Sequence, residues 1–274
     1  MTRMQLRKQF IARLSALYSA GELAALFSNW SESRLGLRLQ EWIFEPEMNV
    51  NQEWIHVFEH DIHRLEKGEP IQYVLNEAWF GGRKYYVDNR VLIPRPETEE
   101  LIQWILASHG EPTKSILDLG TGSGIIPISI KQKRPTWNVV ALDISAGALE
   151  VAQKNAVEAE VDVNFYQADM FDDWPSEPNI VVSNPPYIPP QLACTLSQNV
   201  LDYEPSLALF SSEADGLDFY RAIANQFRKK ETIAEVYLEL NNEKALETKA
   251  LFNGFTVEIK LDVNGHQRMM KVIR

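Results

Sequence analysis

From Ser115 to the end of the chain, short apolar runs alternate with amphipathic stretches, and this alternation strongly limits the possible folds. The runs have the length and the composition of buried strands. They are "SILDLG", "NVVALDI", "VNFYQAD", "NIVVSN" and "IAEVYLEL". Because helical stretches separate most of them, the pattern predicts an α/β domain with a mainly parallel sheet covered by helices on both faces.

The last segment, "TVEIKLDVNGHQRMMKVIR", breaks the alternation. Two β-prone runs meet at Asn264-Gly265, a dipeptide that is typical of tight hairpin turns. We therefore expect an antiparallel hairpin at one edge of the sheet.

The N-terminal part of the chain has a different pattern, and we divide the protein into three parts. Residues 1–75 show helical spacing of apolar side chains and form a predicted N-terminal helical bundle. Residues 76–94 contain β-prone runs around Gly81-Gly82 and form a predicted β-hairpin linker. Residues 95–274 form the main α/β domain.

Basic residues cluster at the start of the helical bundle. The first twenty residues carry Arg3, Arg7, Lys8 and Arg13 and no acid. The cluster is compatible with a docking face for a protein substrate, but we favour an ordinary solvated helix face.

Composition limits the compartment and the partners. With Cys194 as the single cysteine, no internal disulfide can form, and the sequence has no run long enough to span a membrane. We therefore expect a cytoplasmic protein. The net charge of −11 argues against a broad phosphate-binding surface, so direct nucleic-acid binding is not expected.

A glycine-rich turn follows the first strand of the α/β domain. In "ILDLGTGSGIIPISI", Asp118, Gly120, Gly122 and Gly124 lie between a buried strand and a helix. Glycines there permit a tight turn and let a ligand approach the backbone amides at the helix start. The spacing matches neither the dinucleotide fingerprint nor the phosphate loop. A tight turn that binds no ligand is the alternative.

Two acids follow the next two strands. Asp143 ends "VVALDI", about 20 residues after the glycine turn, where an acid can accept hydrogen bonds from both ribose hydroxyls of a nucleoside. Asp169 ends the third strand and is placed to meet an adenine amine, with Met170 or Phe171 against the ring. Either acid alone is also compatible with a helix N-cap.

The fourth strand ends in "NPPY", residues Asn184 to Tyr187. Pro185 and Pro186 remove two N–H donors and hold the backbone extended, so the carbonyls of Asn184 and Pro185 are free to face a ligand. Together with the Asn184 side-chain oxygen they form neutral acceptors for the two hydrogens of a planar –NH2 group, and Tyr187 adds a flat wall. Such a site suits methylation of an amide or aromatic amine. The alternative is a proline turn that closes a strand, with Tyr187 simply packed.

Taken in this order, "DLGTGSG", Asp143, Asp169 and "NPPY" resemble the motifs of class I S-adenosylmethionine-dependent amino methyltransferases. A closer resemblance covers nearly the whole chain. The segments "EPIQYVLNEAWFGGRKYYVDNRVLIPRPETEELI" and "YEPSLALFSSEADGLDFYR" are similar to those of the peptide chain release factor glutamine methyltransferases.

The resemblance implies a Rossmann-like domain with a seven-stranded sheet, a small helical domain and a hairpin linker. It implies methyl transfer from S-adenosylmethionine, with S-adenosylhomocysteine as product, to the glutamine of the Gly-Gly-Gln motif in class I release factors. We expect a monomer whose partners are release factors, with no membrane association.

The resemblance also assigns residues by position, and no metal site is among them. The predicted catalytic residues are Asn184, Pro185, Pro186 and Tyr187. The predicted cofactor-binding residues are Asp118, Gly120, Thr121, Gly122, Ser123, Gly124, Asp143, Asp169, Met170 and Asn184. Arg95 and Glu97 are expected to border the methyl donor or to order that wall, with a plain helix-start role as the alternative.

One departure from the family pattern is Asn241-Asn242, where a glycine-containing turn is expected.

Other functions remain open at this point. "NPPY" also suits the exocyclic amines of adenine or guanine in RNA or DNA, and a non-catalytic nucleoside-binding module is a second alternative. The glycine spacing disfavours a nicotinamide oxidoreductase.

Overall fold

The computed structural model describes residues 1–110 and 113–274. The chain divides into two compact units, Met1–Glu77 and Ala78–Arg274. The hairpin around Gly81-Gly82 lies in the second unit.

The first unit is helical. Its helices are α1 (Arg3–Leu14), α2 (Ala20–Leu35), α3 (Leu39–Phe44), α4 (Gln52–Glu66) and α5 (Ile71–Leu75). Thr2, Ser19 and Asn51 cap α1, α2 and α4 by accepting hydrogen bonds from backbone amides of the first turn. Apolar residues at helical spacing bury an aromatic core that includes Phe10, Phe27, Trp30 and Phe58.

The basic cluster of α1 is used inside this unit. Arg3 is buried and its guanidinium lies 2.7 Å from the Glu45 carboxylate. Arg13 contacts Glu66 at 2.7 Å and Glu59 at 2.6 Å. Because acids already pair with these two arginines, they do not form an unpaired basic docking face.

The second unit begins with a short hairpin of β1 (Ala78–Phe80) and β2 (Arg83–Tyr85). The larger strands are β3 (Ser115–Leu119), β4 (Asn138–Asp143), β5 (Asn164–Gln167), β6 (Ile180–Ser183), β7 (Glu235–Glu239), β8 (Thr256–Leu261) and β9 (Gln267–Ile273). The helices are α6 (Pro96–Ser108), α7 (Ile125–Lys133), α8 (Ala146–Glu158), α9 (Gln198–Tyr203), α10 (Ser206–Leu209), α11 (Asp218–Lys229) and α12 (Ala245–Ala250).

Within the described residues, β3 to β9 form one seven-stranded sheet in the order β5-β4-β3-β6-β7-β9-β8. The first five strands in this order, β5, β4, β3, β6 and β7, run parallel to one another. Strand β9 pairs antiparallel with both β7 and β8. This confirms the predicted fold class and the closing hairpin. Successive residues of β3 point to opposite faces, with Leu117 and Ile116 in different core clusters, so both faces are buried.

The two outer strands, β5 and β8, differ from the strands between them. β8 exposes Glu258 and Lys260 and has an irregular register at Lys260/Leu261, where it leaves regular pairing with β9. β5 has only four residues and exposes Tyr166.

Asn155 on α8 fixes the segment after the β1–β2 hairpin to the sheet. Its side-chain oxygen accepts a hydrogen bond from the Tyr86 amide at 2.7 Å, and its nitrogen donates to the Tyr86 carbonyl at 2.9 Å. The same nitrogen donates to the Ser123 carbonyl at 2.9 Å. One buried side chain therefore holds both the linker and the glycine loop in place.

Gly122 and Gly124 both adopt positive φ, of 54° and 80°, but only Gly124 is crowded. A Cβ at Gly124 would lie 3.0 Å from Ala152 and Ile128, whereas a Cβ at Gly122 would meet nothing within 4 Å. The glycine at position 124 is therefore required by close packing of α7 and α8 as well as by the backbone conformation.

We expect Gly124→Ala to destabilise the protein more than Gly122→Ala. Each alanine pays the cost of left-handed backbone, about 1 kcal/mol, and Gly124→Ala adds the overpacking cost of roughly 1–3 kcal/mol. Urea denaturation of both variants would measure the difference in the free energy of unfolding. Equal losses would contradict the crowding at Gly124.

Candidate active site

A cavity of about 310 Å³ opens at the carboxyl ends of the parallel strands, where ligands of open α/β sheets bind. Its wall combines loop residues after four neighbouring strands with residues from the segment before α6 and from the region of α10 and α11. Among the lining residues are Arg90, Gly120, Gly122, Asp143, Ala148, Asp169, Met170, Phe171, Asn184, Pro186, Leu207 and Phe219.

The glycine loop after β3 contributes shape to this cavity more than hydrogen-bond donors. The amides of Gly120 and Thr121 both donate to the Leu142 carbonyl, at 2.9 and 3.0 Å. The Gly122 amide donates to Asp143 and the Gly124 amide to the Thr121 carbonyl, each at 2.9 Å. The protein therefore uses these four amides itself, while a close approach of a ligand to the loop stays a prediction. Thr121 and Ser123 are buried, and they do not line the cavity.

Asp143 ends β4, as predicted, and lines the cavity. Its two carboxylate oxygens accept one hydrogen bond each, from the Gly122 and Ser145 amides at 2.9 Å. A carboxylate oxygen can accept two, so each keeps acceptor capacity. Burial raises the pKa of Asp143, and the backbone amides of Ser145, Gly122 and Ile144 oppose the rise.

Asp169 lies two residues beyond the end of β5, so the prediction that it ends the strand is wrong by two residues. Its carboxylate accepts a hydrogen bond from the Phe171 amide at 3.0 Å, which shapes a tight turn. The indole of Trp174 donates to the Met170 carbonyl at 3.0 Å and fixes the buried Met170 beside Gly120. Phe171 packs on Phe219 with ring centroids 5.1 Å apart.

The segment Asn184–Tyr187 begins where β6 ends. Asn184 and Pro186 line the cavity, Pro185 is buried, and Tyr187 does not reach the lining. In residues 1–110 and 113–274, no protein donor is recorded on the carbonyl oxygens of Asn184 and Pro185. The local structure therefore leaves these two carbonyls as acceptors, as expected from the double proline.

A buried polar network lies behind this segment. The Asn184 side-chain nitrogen donates to the Thr98 hydroxyl at 3.3 Å, and that hydroxyl donates to Glu239 Oε2 at 2.7 Å. The Tyr187 hydroxyl donates to Glu239 Oε1 at 3.4 Å. Burial raises the pKa of Glu239 to about 7, while Thr98 and Arg268 oppose the rise. Burial also raises the pKa of Tyr187, so its phenol keeps its proton.

Arg95 and Glu97 do not line the cavity. The Arg95 guanidinium lies 2.6 Å from the buried Glu204 carboxylate, whose other oxygen accepts a hydrogen bond from the Ile93 amide at 3.2 Å. Glu204 immediately precedes Pro205, a residue of the cavity wall. Arg95 therefore ties two segments together and also stands at the start of α6, and the role expected for it in ordering the cavity wall stays a prediction.

Sequence reasoning missed several residues of this site. Arg90, Leu207 and Phe219 line the cavity, and Thr98 and Glu239 support Asn184. Four of these five lie within the two long segments that carry the closer family resemblance, which was the only signal for them. No cluster of three or more metal-ligating side chains occurs among the described residues. In the same part of the chain, no helix is long and apolar enough to cross a membrane.

Asp118 lies beneath the glycine loop and outside the cavity lining. It is 1% exposed, and within the described residues neither carboxylate oxygen makes a hydrogen bond of ordinary geometry. Burial raises its pKa to about 7, with the nearby Thr121 hydroxyl opposing the rise and the Asp143 charge adding to it. Burial therefore favours the neutral form of this acid below neutral pH.

The sheet order, the cavity at the strand ends and the amide-type acceptors define a class I S-adenosylmethionine-dependent methyltransferase. Residues 98–202 match the family model "MTS: Methyltransferase small domain". The hMettl16 catalytic domain, solved in complex with the MAT2A 3′UTR hairpin 1, has a TM-score of 0.55 at 18% identity, covering 91% of this chain and 89% of that chain. That similarity shows the fold alone.

Curated relatives define the family more closely. The release factor glutamine methyltransferase of Flavobacterium psychrophilum is 37% identical over 97% of both chains. The enzyme of the same name from Streptococcus pneumoniae is 37% identical over 98% of both chains. The protein belongs to the release factor glutamine methyltransferase family.

The site residues fit the family's methyl donor. An adenosyl group needs acceptors for its ribose hydroxyls, apolar surfaces for its ring and close approach to a backbone turn. Asp143 has free acceptor capacity, Met170 and Phe171 offer apolar surface, and a Cβ at Gly122 would occupy open space beside the cavity. These residues therefore have the chemistry that S-adenosylmethionine requires.

The burial of Asp118 predicts a pH-dependent stability. Its folded pKa of about 7 lies above the ordinary value of 3.8 for an aspartate, so the folded protein binds the proton more tightly than the unfolded chain. This contribution is complete below pH 3.8 and is lost as the pH rises to 7. Since each pKa unit equals about 1.4 kcal/mol, the loss amounts to roughly 4 kcal/mol.

Asp118→Asn, which stays neutral, should therefore be more stable than wild type at pH 8 and should lose most of this advantage at pH 5. Urea denaturation at both pH values measures the change. Asp162→Asn at an exposed position is the control, because its carboxylate is in water in both states. A pH profile of Asp118→Asn parallel to that of wild type would contradict the buried, proton-binding carboxyl.

Proposed function

We propose that this protein methylates the side-chain amide nitrogen of the glutamine in the Gly-Gly-Gln motif of class I peptide chain release factors, and so supports translation termination. The proposal depends mainly on one observation: neutral acceptors at Asn184 and Pro185 adjoin a cavity with nucleoside-type acids. The names of relatives that are 37% identical over 97% and 98% of the chain support the same substrate.

In this proposal Asn184 and Pro185 bind and orient the substrate amide. The Asn184 side-chain oxygen and a backbone carbonyl accept the two amide hydrogens, which fixes the plane of the –NH2 group. Neutral acceptors suffice because an amide nitrogen needs no prior deprotonation; its proton becomes acidic once the nitrogen carries a fourth substituent. S-adenosylmethionine, when bound, supplies an electrophilic methyl group. Fixed geometry of this kind lowers the barrier by orientation.

Tyr187 and Pro186 complete the acceptor position in this proposal. The Tyr187 hydroxyl is anchored on Glu239, which holds the ring at a fixed angle directly after the two prolines. A fixed ring provides a flat side for the glutamine side chain. Pro186 stiffens the connection between ring and acceptors.

We further propose that the methyl donor is held by the glycine loop from Gly120 to Gly124, Asp143, Asp169 and Met170, with Asp118 supporting the loop from below. Asp143 accepts from the ribose hydroxyls, and Asp169 with Met170 holds the base. Because the loop amides already donate hydrogen bonds within the protein, we propose that the donor lies close to the loop without hydrogen bonds from these amides.

The substrate is a protein in this proposal, and nucleic acid is not a direct partner. The net charge of −11 disfavours a phosphate-binding surface. We also propose a monomer as the active form. Since release factors act at the ribosome, we place the reaction in the cytoplasm.

The decisive assay incubates the protein with S-adenosylmethionine and an unmethylated release factor, followed by peptide fragmentation mass spectrometry. Asn184→Ala should lower kcat about a hundredfold or more, because it removes an acceptor that positions the reacting nitrogen. The donor Kd should change much less. Asn138→Ala, at the exposed start of β4, is the control. Methyl groups on RNA, with none on the glutamine, would favour an amine of a nucleic-acid base as the substrate.

Asp143→Ala should weaken donor binding more than it lowers turnover, the opposite of Asn184→Ala. Losing a charged acceptor should raise the donor Kd at least about tenfold, as expected for hydrogen bonds to charged groups, while kcat at saturating donor falls less. Isothermal titration with S-adenosylmethionine measures the Kd. Asp143→Asn, which keeps one acceptor oxygen, should lie between wild type and Asp143→Ala. An unchanged Kd would exclude Asp143 from donor binding.

A further inference from the structure

The Asn184 carboxamide has an oxygen and a nitrogen of nearly equal size, so its shape alone does not decide which atom faces the substrate. Only the oxygen can accept an N–H of the substrate amide. The Asn184 nitrogen is itself a donor, so in the reversed orientation two –NH2 groups would face each other. The proposed function therefore requires a device that selects one orientation of this side chain.

Thr98 supplies the selecting contact. The Asn184 nitrogen lies 3.3 Å from the Thr98 hydroxyl, which leaves the Asn184 oxygen for the cavity side. A hydroxyl has one proton, and it can accept from Asn184 only while that proton is donated elsewhere. The direction of the Thr98 O–H bond thus decides the orientation of Asn184.

Glu239 fixes the direction of the Thr98 proton. Its Oε2 lies 2.7 Å from the Thr98 hydroxyl, and both side chains are 1% exposed, so water does not compete for the contact. An ionised carboxylate only accepts hydrogen bonds, which obliges Thr98 to donate to it. A protonated carboxyl can donate instead; the Thr98 proton would then point to Asn184 and favour the reversed amide.

The groups around Glu239 bring the pKa of its carboxyl close to neutral pH. The Tyr187 hydroxyl donates to Oε1 at 3.4 Å, and the Tyr220 hydroxyl donates to the Glu239 carbonyl at 2.9 Å. The positive Arg268 lowers the pKa of Glu239, whereas burial and the negative Glu97 raise it, to about 7. Protonation of Glu239 would therefore reverse the hydrogen bonds that run from Glu239 through Thr98 to Asn184.

We propose that Thr98 and the ionised Glu239 are positioning residues, which together turn the Asn184 oxygen toward the substrate amide and so determine turnover. This proposal rests on the proposed function. It joins two segments that are 141 residues apart in sequence, the start of α6 and the end of β7. Neither residue lines the cavity, so both act through Asn184.

Matched substitutions at Thr98 provide the first test. Thr98→Val keeps the shape and removes the hydroxyl, and it should lower kcat about ten- to a hundredfold, the size of a misplaced reacting group. Thr98→Ser restores the hydroxyl and should recover kcat to within about threefold of wild type. The donor Kd should be unchanged in both variants, and thermal unfolding checks that both fold. Thr98→Val with the kcat of wild type would overturn the proposal.

The pH profile of kcat provides the second test, which a merely structural role would not affect. Wild-type kcat should fall as the pH drops through the pKa of Glu239, because protonation frees the Thr98 proton. Glu239→Gln can accept from Thr98 through its oxygen but does not titrate, so this fall should disappear. Glu97→Gln removes a nearby negative charge and should move the fall to lower pH. A fall that persists unchanged in Glu239→Gln would contradict the role of Glu239.

The outcomes separate this proposal from the function on which it rests. A wild-type protein that binds the donor but leaves the release factor glutamine unmethylated overturns both. A wild-type enzyme that methylates the glutamine, together with a fully active Thr98→Val, overturns only the positioning roles. Loss of kcat in Thr98→Val, recovery in Thr98→Ser and loss of the acidic fall in Glu239→Gln support both.

Discussion

The carbonyl of Leu142, at the end of β4, accepts hydrogen bonds from the amides of both Gly120 and Thr121, and the rest of the site depends on this contact. It fastens the loop after β3 to the end of the neighbouring strand. Asp143 continues the connection by accepting from Gly122. These bonds satisfy the loop amides internally and so stabilise both the positive φ values of the loop and the shape of the cavity beside it. Preformed geometry lowers the ordering cost of binding.

Two acids with unusual environments lie on strands of this sheet, Asp118 on β3 and Glu239 on β7. Asp118 supports the loop in a dry site without regular hydrogen bonds, whereas Glu239 is connected to Thr98, Tyr187 and, through charge, to Arg268. Burial raises the pKa of both carboxyl groups to about 7, so each costs stability once it is ionised. A cost of this kind is commonly found at functional sites, where polar groups are retained for chemistry rather than for folding.

Much of this architecture was predictable from sequence because it follows from local rules. Periodicity indicated every strand of the large sheet, and the strand-end positions of Asp143 and Asn184 followed from the motifs. Local rules do not predict contacts between residues that are distant in sequence. Examples are the hydrogen bond from Thr98 to Glu239 and those from the loop amides to the Leu142 carbonyl. The unexpected Asn241-Asn242 also has a structural explanation: Asn241 caps a short 3₁₀ helix through the Glu243 amide, and Asn242 accepts from the Gln267 amide.

The two edge strands of the sheet, β5 and β8, affect whether copies of this protein associate with one another. An outer strand presents unpaired backbone groups and invites another chain to extend the sheet. β8 counters this with exposed Glu258 and Lys260 and with its irregular register, and Lys260 also reaches back over the Trp104 ring at 4.2 Å. β5 is too short to template a long partner strand. Both edges therefore resist strand addition, which protects a crowded solution of this enzyme from aggregating through its own sheet.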